Sequence, residues 1–394
     1  MLLRSVCLQP RRCRKGCCQA DGFGARRRVA ETVLKFAHIP FNSVAMHQKP
    51  ITTTDPASPT ARRSQGQIVV ARSLWYVKPG VAELRTERLG PPIPGEARVA
   101  TLYSAISRGT ERLVANGEVP ESEWTRMRAP LQSGAFPYPV KYGYSATGTV
   151  TAGSDALFGK TVFCLHPHQD HFQVAETMLH VVPEGIPAKR ATLAANMETA
   201  LNAHWDAGTN LADRVLVIGA GVVGLLVAYL AQRIAGVDVA ITDIDSSRAA
   251  IAEKLGLKFA MPANVPKDNA IVFHTSATAA GLQTAIDTAD VEGRIIELSW
   301  YGARPQSLYL GGAFHSRRLQ IISSQVGHVA PSKRAMVSHR ERLAKAIALL
   351  DDDRLDALVA GEVDFDAITE RLPQIFSNAL PGPCPVICYT KRLK

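Results

Sequence analysis

The run Arg214-Val215-Leu216-Val217-Ile218, followed at once by Gly219-Ala220-Gly221-Val222-Val223-Gly224, constrains this chain more than any other feature. The first five residues are mostly β-branched and read as a buried strand. Glycines then occupy the first, third and sixth places of a turn that opens a helix over 222–233. Each glycine has its own reason. The first allows a tight turn, the second lets the backbone approach a pyrophosphate, and the third lets helix and strand pack closely. A phosphate held there sits on the helix N-terminus, where unpaired N–H groups and the helix dipole favour an anion.

The next apolar strand ends in Asp243, nineteen residues after Gly224. A carboxylate at that place accepts hydrogen bonds from an adenosine ribose. The expectation is a Rossmann dinucleotide-binding unit. Gly219, Gly221, Val222, Val223 and Gly224 hold the phosphates, and Asp243 favours NAD because a 2′-phosphate would meet its negative charge. Arg248 nearby keeps NADP as the alternative cofactor. Residues 215–231 are seventeen in a row without a charge, close to a membrane span in length. Three glycines in the first ten of them favour a buried strand-turn-helix, and no membrane span is assigned.

Upstream the pattern differs. Segments 68–71, 97–103, 147–150 and 160–164 are short, β-rich and separated by Gly/Pro turns, which suggests a partly open barrel. Beyond Pro183 strand and helix alternate: a helical stretch over 188–207, then buried strands over 214–218, 237–242, 270–274, 294–298 and 319–323. Such alternation builds a parallel sheet covered on both faces. The tail carries a helix over 338–350 and a final strand near 385–389, expected to pack back on the first domain. The fold class is therefore α/β, a Rossmann doubly wound parallel sheet plus a β-barrel. The division is a basic, disordered extension over 1–66, a barrel domain over 67–184 completed by 330–394, and a dinucleotide domain over 185–329.

The charge belongs to the extension. The chain of 394 residues has a net charge of +10, and residues 1–65 hold twelve Lys/Arg against three Asp/Glu, so +9 of it lies there. The nearly neutral remainder argues against a nucleic-acid-binding surface on the folded body. The extension is Arg-rich and acid-poor like a transit peptide, but Cys17-Cys18 and the lack of an amphipathic face fit that poorly; Met46 as the true start is the plainer alternative. Only Cys164, Cys384 and Cys388 fall in the body, and no C-x-x-C pair occurs. A disulfide framework or four-cysteine zinc site is not expected, and a reducing, cytoplasmic setting is.

An ordered set of motifs resembles the medium-chain dehydrogenase/reductase superfamily, the zinc alcohol dehydrogenase-like enzymes, from about residue 68 onward. The set is Gly109-Thr110-Glu111 after a strand, Gly143-Tyr144-Ser145 before Ala146-Thr147-Gly148, the glycine loop, and Asp243 with Arg248 five residues on. The resemblance implies a GroES-like catalytic barrel, a Rossmann domain inserted before the C-terminal tail, a cleft between them, and a homodimer through the edge strand over 319–323. The branch with Ile106-Ser107-Arg108-Gly109-Thr110-Glu111 is distantly like the bacteriochlorophyllide dehydrogenases. The metal does not carry over. Where zinc members have Cys-Gly-Thr-Asp and Gly-His-Glu, this chain has Arg108-Gly109-Thr110-Glu111 and Gly143-Tyr144-Ser145. Zinc wants thiolate, imidazole or carboxylate, so no metal site is assigned and a zinc-independent member is expected.

Without zinc, hydrogen-bond donors must stabilise a developing alkoxide and exchange its proton. Arg108 and Tyr144, at the old ligand positions, are expected to face the substrate, with Thr110 as a proton relay. The blander alternatives are that Tyr144 only packs, that Arg108 pairs with Glu111 or Glu198, and that Thr110 satisfies a turn. Glu198 is expected to orient Arg108 or cap a helix. The segment Leu165-His166-Pro167-His168-Gln169-Asp170-His171 is read as a surface or substrate-contacting loop rather than a metal site, which adds His166 and His168 to the catalytic candidates. Thr275 and Ser276 end one strand, and Ser299 begins the turn after the next, where the superfamily touches the nicotinamide and its ribose. The expected function is hydride transfer between a nicotinamide cofactor and a small alcohol, carbonyl or activated alkene. The alternative from another class is a dinucleotide-binding sensor or scaffold that has lost its chemistry. Binding of nucleic acid or an anionic surface through the basic arm is a third reading.

Overall fold

A computed structural model describes residues 67–377 and 379–389. All of them belong to one of the chain's two compact units, residues 58–394. The basic extension and Met46 lie outside the described residues.

The strand Arg214–Ile218 lies inside a six-stranded parallel sheet. In chain order the members are Arg214–Ile218, Asp238–Thr242, Lys258–Ala260, Asn269–His274, Ala289–Glu297 and Gln320–Ser323, and they lie side by side as 3-2-1-4-5-6. Successive side chains of a strand point to opposite faces. Val215 and Val217 accordingly feed one core with the helices Ala194–Ala207 and Val222–Ala231, while Leu216 and Ile218 feed another with the helix Ala279–Thr288. Covering both faces explains why the strand is continuously apolar rather than alternating. Each large side chain so buried contributes about 1.5–3 kcal/mol. Strand order reverses about the first strand, and the turns that follow the first and fourth strands open side by side in the crevice where such sheets bind ligands.

The antiparallel part is two sheets. Glu96–Ala105 is central to one of seven strands, pairing with Ala146–Ala152, His171–Ala175 and Val386–Cys388. The other has four strands ordered Val81–Leu89, Val69–Lys78, Val140–Lys141 and Ser133–Gly134. A bridge between Ser73 and Gln169 joins them. The strand Val386–Cys388 thus pairs with the first sheets, through Glu96–Ala105. The helix His339–Ala348, started by a Ser338/Glu341 capping box, packs Leu343, Ala346 and Ile347 into the core of the parallel sheet instead. Among the described residues no helix is long and apolar enough to cross a membrane.

Two expected elements differ in extent. The stretch over 188–207 is two helices, Ala188–Ala191 and Ala194–Ala207. At the break the Thr192 hydroxyl donates back to the Lys189 carbonyl at 2.6 Å, and the Thr192 carbonyl accepts the Ser145 hydroxyl at 2.8 Å. Such competition with the helical ladder bends or breaks helices. The helix expected to reach 233 ends at Ala231, its last turn tightened by Arg233 N–H donating to Leu230.

Candidate active site

The three glycines of the loop separate by what surrounds them. Gly219 has φ +105, where side chains are strained, and a Cβ there would meet the Thr275 hydroxyl at 2.8 Å. A Cβ on Gly224 would fall on the Gly219 carbonyl oxygen. Both glycines are demanded by the packing of strand against helix. Nothing lies within 4 Å of a Cβ on Gly221, so packing does not explain that glycine. The backbone there is open to close approach by a bound group. Gly221 is also the N-cap of the helix Val222–Ala231 and offers no side-chain cap, which leaves the N–H groups of Val222 and Val223 facing the same space. A pyrophosphate fits these residues.

Asp243 ends the neighbouring strand. One carboxylate oxygen accepts the Ala220 N–H at 2.7 Å and the other accepts the Asp245 N–H at 2.9 Å, so the group is fixed beside the loop with acceptor capacity left over. Arg248 is turned to Asp245, at 3.3 Å. Thr275 donates its hydroxyl to the Ile218 and Gly219 carbonyls at 3.0 and 2.9 Å and thereby shapes the loop. Ser276 hydrogen-bonds His274 Nε2 at 2.7 Å. Ser299 accepts the Ala277 N–H at 3.1 Å on its hydroxyl and donates its own N–H to Glu297 at 2.7 Å.

Arg108 and Thr110 lie in the first turn of the helix Arg108–Ala115. The half-buried Arg108 guanidinium donates to the Leu380 carbonyl at 3.1 Å. Burial, and then the charge of Arg248, lowers its pKa to about 10, so it is still a cation at neutral pH. The Tyr144 hydroxyl is raised to about 12, first by burial and then by the Glu111 carboxylate, against hydrogen bonds with Ser107 and Thr110 that pull it down. It is therefore a neutral O–H donor at pH 7. Arg108, Thr110 and Tyr144 are brought into one neighbourhood, with Cys384 beside them. Ser145, the residue after Tyr144, spends its hydroxyl on the Thr192 carbonyl. Guanidinium, phenol and a committed hydroxyl do not fit Zn²⁺, and among the described residues no group of three or more His, Cys, Asp or Glu could hold a metal.

Other candidates sit elsewhere. Glu198 neither orients Arg108 nor caps a helix; it forms a buried ion pair with Arg342, Oε1 to Nε 3.0 Å. Arg108 does not take Glu111 either, because that carboxylate accepts the Ser107 N–H at 2.8 Å and bonds His168 at 2.8 Å and Tyr76 at 3.3 Å. His166 and His168 do not lie on a surface loop. His166 is buried, stacked on Phe172 with ring centroids 4.1 Å apart, and burial drops its pKa to about 3. His168 is fully buried between Glu111 on Nε2 and Ser104 on Nδ1, 2.7 Å away, and Ser104 continues to the Tyr389 hydroxyl at 2.8 Å. The physical reason is Gly143, whose missing side chain leaves room for the His168 ring; a Cβ there would lie 2.8 Å from it.

Sequence reasoning missed the partners of this chain, Tyr76, Ser104 and Tyr389, and left Glu111 out of the site. It also missed His274 and Glu297, bonded at 2.7 Å. Their signal was a polar residue at the C-terminal end of each of two neighbouring apolar strands.

No family model matches the chain. Among curated proteins, 2-dehydro-3-deoxy-L-galactonate 5-dehydrogenase of Pseudoalteromonas atlantica is 24% identical over 174 residues, 41% of this chain and 50% of that protein, so the match spans half of that relative's length. Among solved structures, a short-chain alcohol dehydrogenase of E. coli CFT073 complexed with NADH matches with a TM-score of 0.65 at 16% identity, covering 81% of this chain and 99% of that one. L-idonate 5-dehydrogenase of Escherichia coli K-12 matches with a TM-score of 0.68 at 13% identity, covering 83% and 100%. At such identities the likeness speaks to the fold, and it agrees with the motif order read from the sequence. The chain therefore has the medium-chain dehydrogenase/reductase fold, a Rossmann sheet with a GroES-like barrel.

Proposed function

We propose that this protein is a nicotinamide-dependent oxidoreductase that moves a hydride between NAD(H) and an alcohol or carbonyl without zinc. The observation that carries the reading is the open space over Gly221 at an uncapped helix N-terminus, beside a fixed Asp243. The dinucleotide, when bound, supplies the hydride acceptor or donor. Residues 185–329 hold it, and residues 67–184 with 330–394 shape the substrate side. There the Tyr144 O–H donates to the substrate oxygen, the Arg108 cation favours negative charge on it, and Thr110 and Ser107 pass the proton onward. The reading includes a cytoplasmic homodimer joined through the edge strand Gln320–Ser323, on which Ile321 is exposed.

Fluorescence titration tests the cofactor. NADH is expected to bind at least about tenfold more tightly than NADPH, because Asp243 repels a 2′-phosphate while Arg248 is engaged by Asp245. Equal affinities would remove the NAD preference, and binding of neither would remove the function. Tyr144→Phe tests the chemistry. On an alcohol and carbonyl panel kcat is expected to fall about a hundredfold, the range of a lost proton donor, with NADH affinity unchanged. Unaltered turnover would reduce Tyr144 to packing.

A further inference from the structure

His168 is fully buried, and its Nε2 lies 2.8 Å from Oε2 of Glu111, the residue after Thr110. The other oxygen of that carboxyl group accepts the Ser107 N–H at 2.8 Å. Glu111 therefore fixes the turn that carries Ser107 and Thr110, the two residues that share hydrogen bonds with the Tyr144 hydroxyl. The same imidazole abuts Gly143, the residue before Tyr144: a Cβ on that glycine would lie 2.8 Å from both Cδ2 and Nε2 of the ring. One ring thus touches the backbone that carries Tyr144 and the carboxyl group that fixes Ser107.

The ring is held in turn. Its Nδ1 lies 2.7 Å from the Ser104 hydroxyl, in the strand Glu96–Ala105, and that hydroxyl lies 2.8 Å from the hydroxyl of Tyr389, the residue after Val386–Cys388. The His168 N–H donates to the Tyr142 carbonyl at 3.2 Å, and its carbonyl accepts the Leu74 N–H at 3.0 Å. Tyr76 adds its hydroxyl to Glu111 at 3.3 Å. Stability alone gives no reason for this buried chain, because apolar side chains would fill the same volume without desolvating a carboxyl group and an imidazole. What a satisfied buried network supplies is a single arrangement of the segments it joins. The segments joined here carry Ser107, Thr110 and Tyr144.

We infer that His168 is a positioning residue for the proposed hydride transfer: through Glu111 and Gly143 it sets the Tyr144 phenol against Ser107 and Thr110. The inference rests on the oxidoreductase reading above and adds to it a buried side chain that acts without touching substrate. The role is one of shape and reach, and it is the same whichever ring nitrogen carries a proton.

Thermal melts of each variant serve as the fold control. His168→Asn keeps an amide within reach of Ser104 and loses the group that meets Glu111. On the alcohol or carbonyl that the wild type turns over, its kcat is expected to fall about tenfold or more, with NADH affinity changed less than about twofold. His168→Gln reaches Glu111 and should recover part of the loss. In a Tyr144→Phe background His168→Asn should cost less than about twofold, since its effect runs through the missing hydroxyl. Wild-type kcat in His168→Asn, or full additivity with Tyr144→Phe, overturns the inference while the oxidoreductase reading stands. A second readout needs no substrate: carbon-13 spectra of protein labelled at the tyrosine ring carbon that bears the hydroxyl. The Tyr144 resonance, assigned by its loss in Tyr144→Phe, should move in His168→Asn and return toward its place in His168→Gln. An unmoved resonance overturns the inference as well. If His168→Asn does not fold, His168→Gln takes its place in the cycle with Tyr144→Phe, where full additivity again overturns the inference. Failure of the wild type to bind NADH overturns the oxidoreductase reading and the inference with it.

Discussion

Gly221→Ala is expected to fold as the wild type does and to lose dinucleotide binding about a hundredfold, close to 3 kcal/mol, whereas Gly224→Ala is expected to lose stability first. The two differ only in what a methyl group meets. At Gly221 the backbone has an ordinary conformation, φ −75, and the methyl enters open space. No protein atom resists it, so it resists the ligand whose pyrophosphate needs that backbone. At Gly224 the methyl falls on the Gly219 carbonyl oxygen, and Thr275 Oγ1 lies 2.7 Å away on another side. Strand and helix must part, and overpacking of this kind costs about 3 kcal/mol or more, which for a chain of this size lowers the melting temperature by roughly 4 °C or more. Thermal melts and NADH titrations of both variants decide the matter. If Gly221→Ala binds NADH normally, the space over Gly221 is not a pyrophosphate site and the proposed function loses the observation that carries it.

The parallel sheet was legible because its evidence is local. Four apolar residues after Arg214, a glycine turn and a helical run fall within eighteen positions, and both faces of the strand from Val215 on are buried for the same reason that those positions carry no polar residue. The break at Thr192 was not legible, because the hydroxyl that competes for its carbonyl comes from Ser145, 47 residues earlier. His166 and His168 were misplaced for a similar reason. A proline between two histidines looks the same in a surface loop and in a core; here Glu111, 57 residues away, and Ser104, 64 residues away, decide the matter. Arg108 and Tyr144 both lie near Cys384, but the rise of the Tyr144 hydroxyl to about 12 comes from burial and from Glu111, which no spacing reveals. His274 and Glu297 lay between these extremes. Both end apolar strands in a sheet whose order could be anticipated, so their meeting was within reach of the sequence.

Arg342→Leu is expected to destabilise the fold by about 3–5 kcal/mol at pH 8, with a deficit that shrinks as the pH falls. Arg342 is among the largest fully buried side chains. Its Nε donates to Glu198 at 3.0 Å, one terminal nitrogen to Asn202 at 2.6 Å and the His328 carbonyl at 3.0 Å, and the other to the Val326 carbonyl. The guanidinium thus ties the helix His339–Ala348 to Ala194–Ala207 and to the segment after the edge strand Gln320–Ser323. Leucine fills some of the volume but leaves a buried carboxylate with no counter-charge. Burial already holds the Glu198 carboxyl above its ordinary value despite the opposing pull of Arg342, and removing that pull raises it further. A carboxyl whose folded pKa exceeds its unfolded value, about 4.3, contributes its full stability below the unfolded value and loses it as pH rises through the folded one. The variant should therefore gain on the wild type between pH 8 and pH 5, as Glu198 takes up a proton and its buried charge disappears. Urea unfolding at the two pH values measures this. An equal deficit at both would mean that Arg342 acts by packing alone. Glu198→Leu combined with Arg342→Leu should restore most of the stability, because no uncompensated charge is then left in the core.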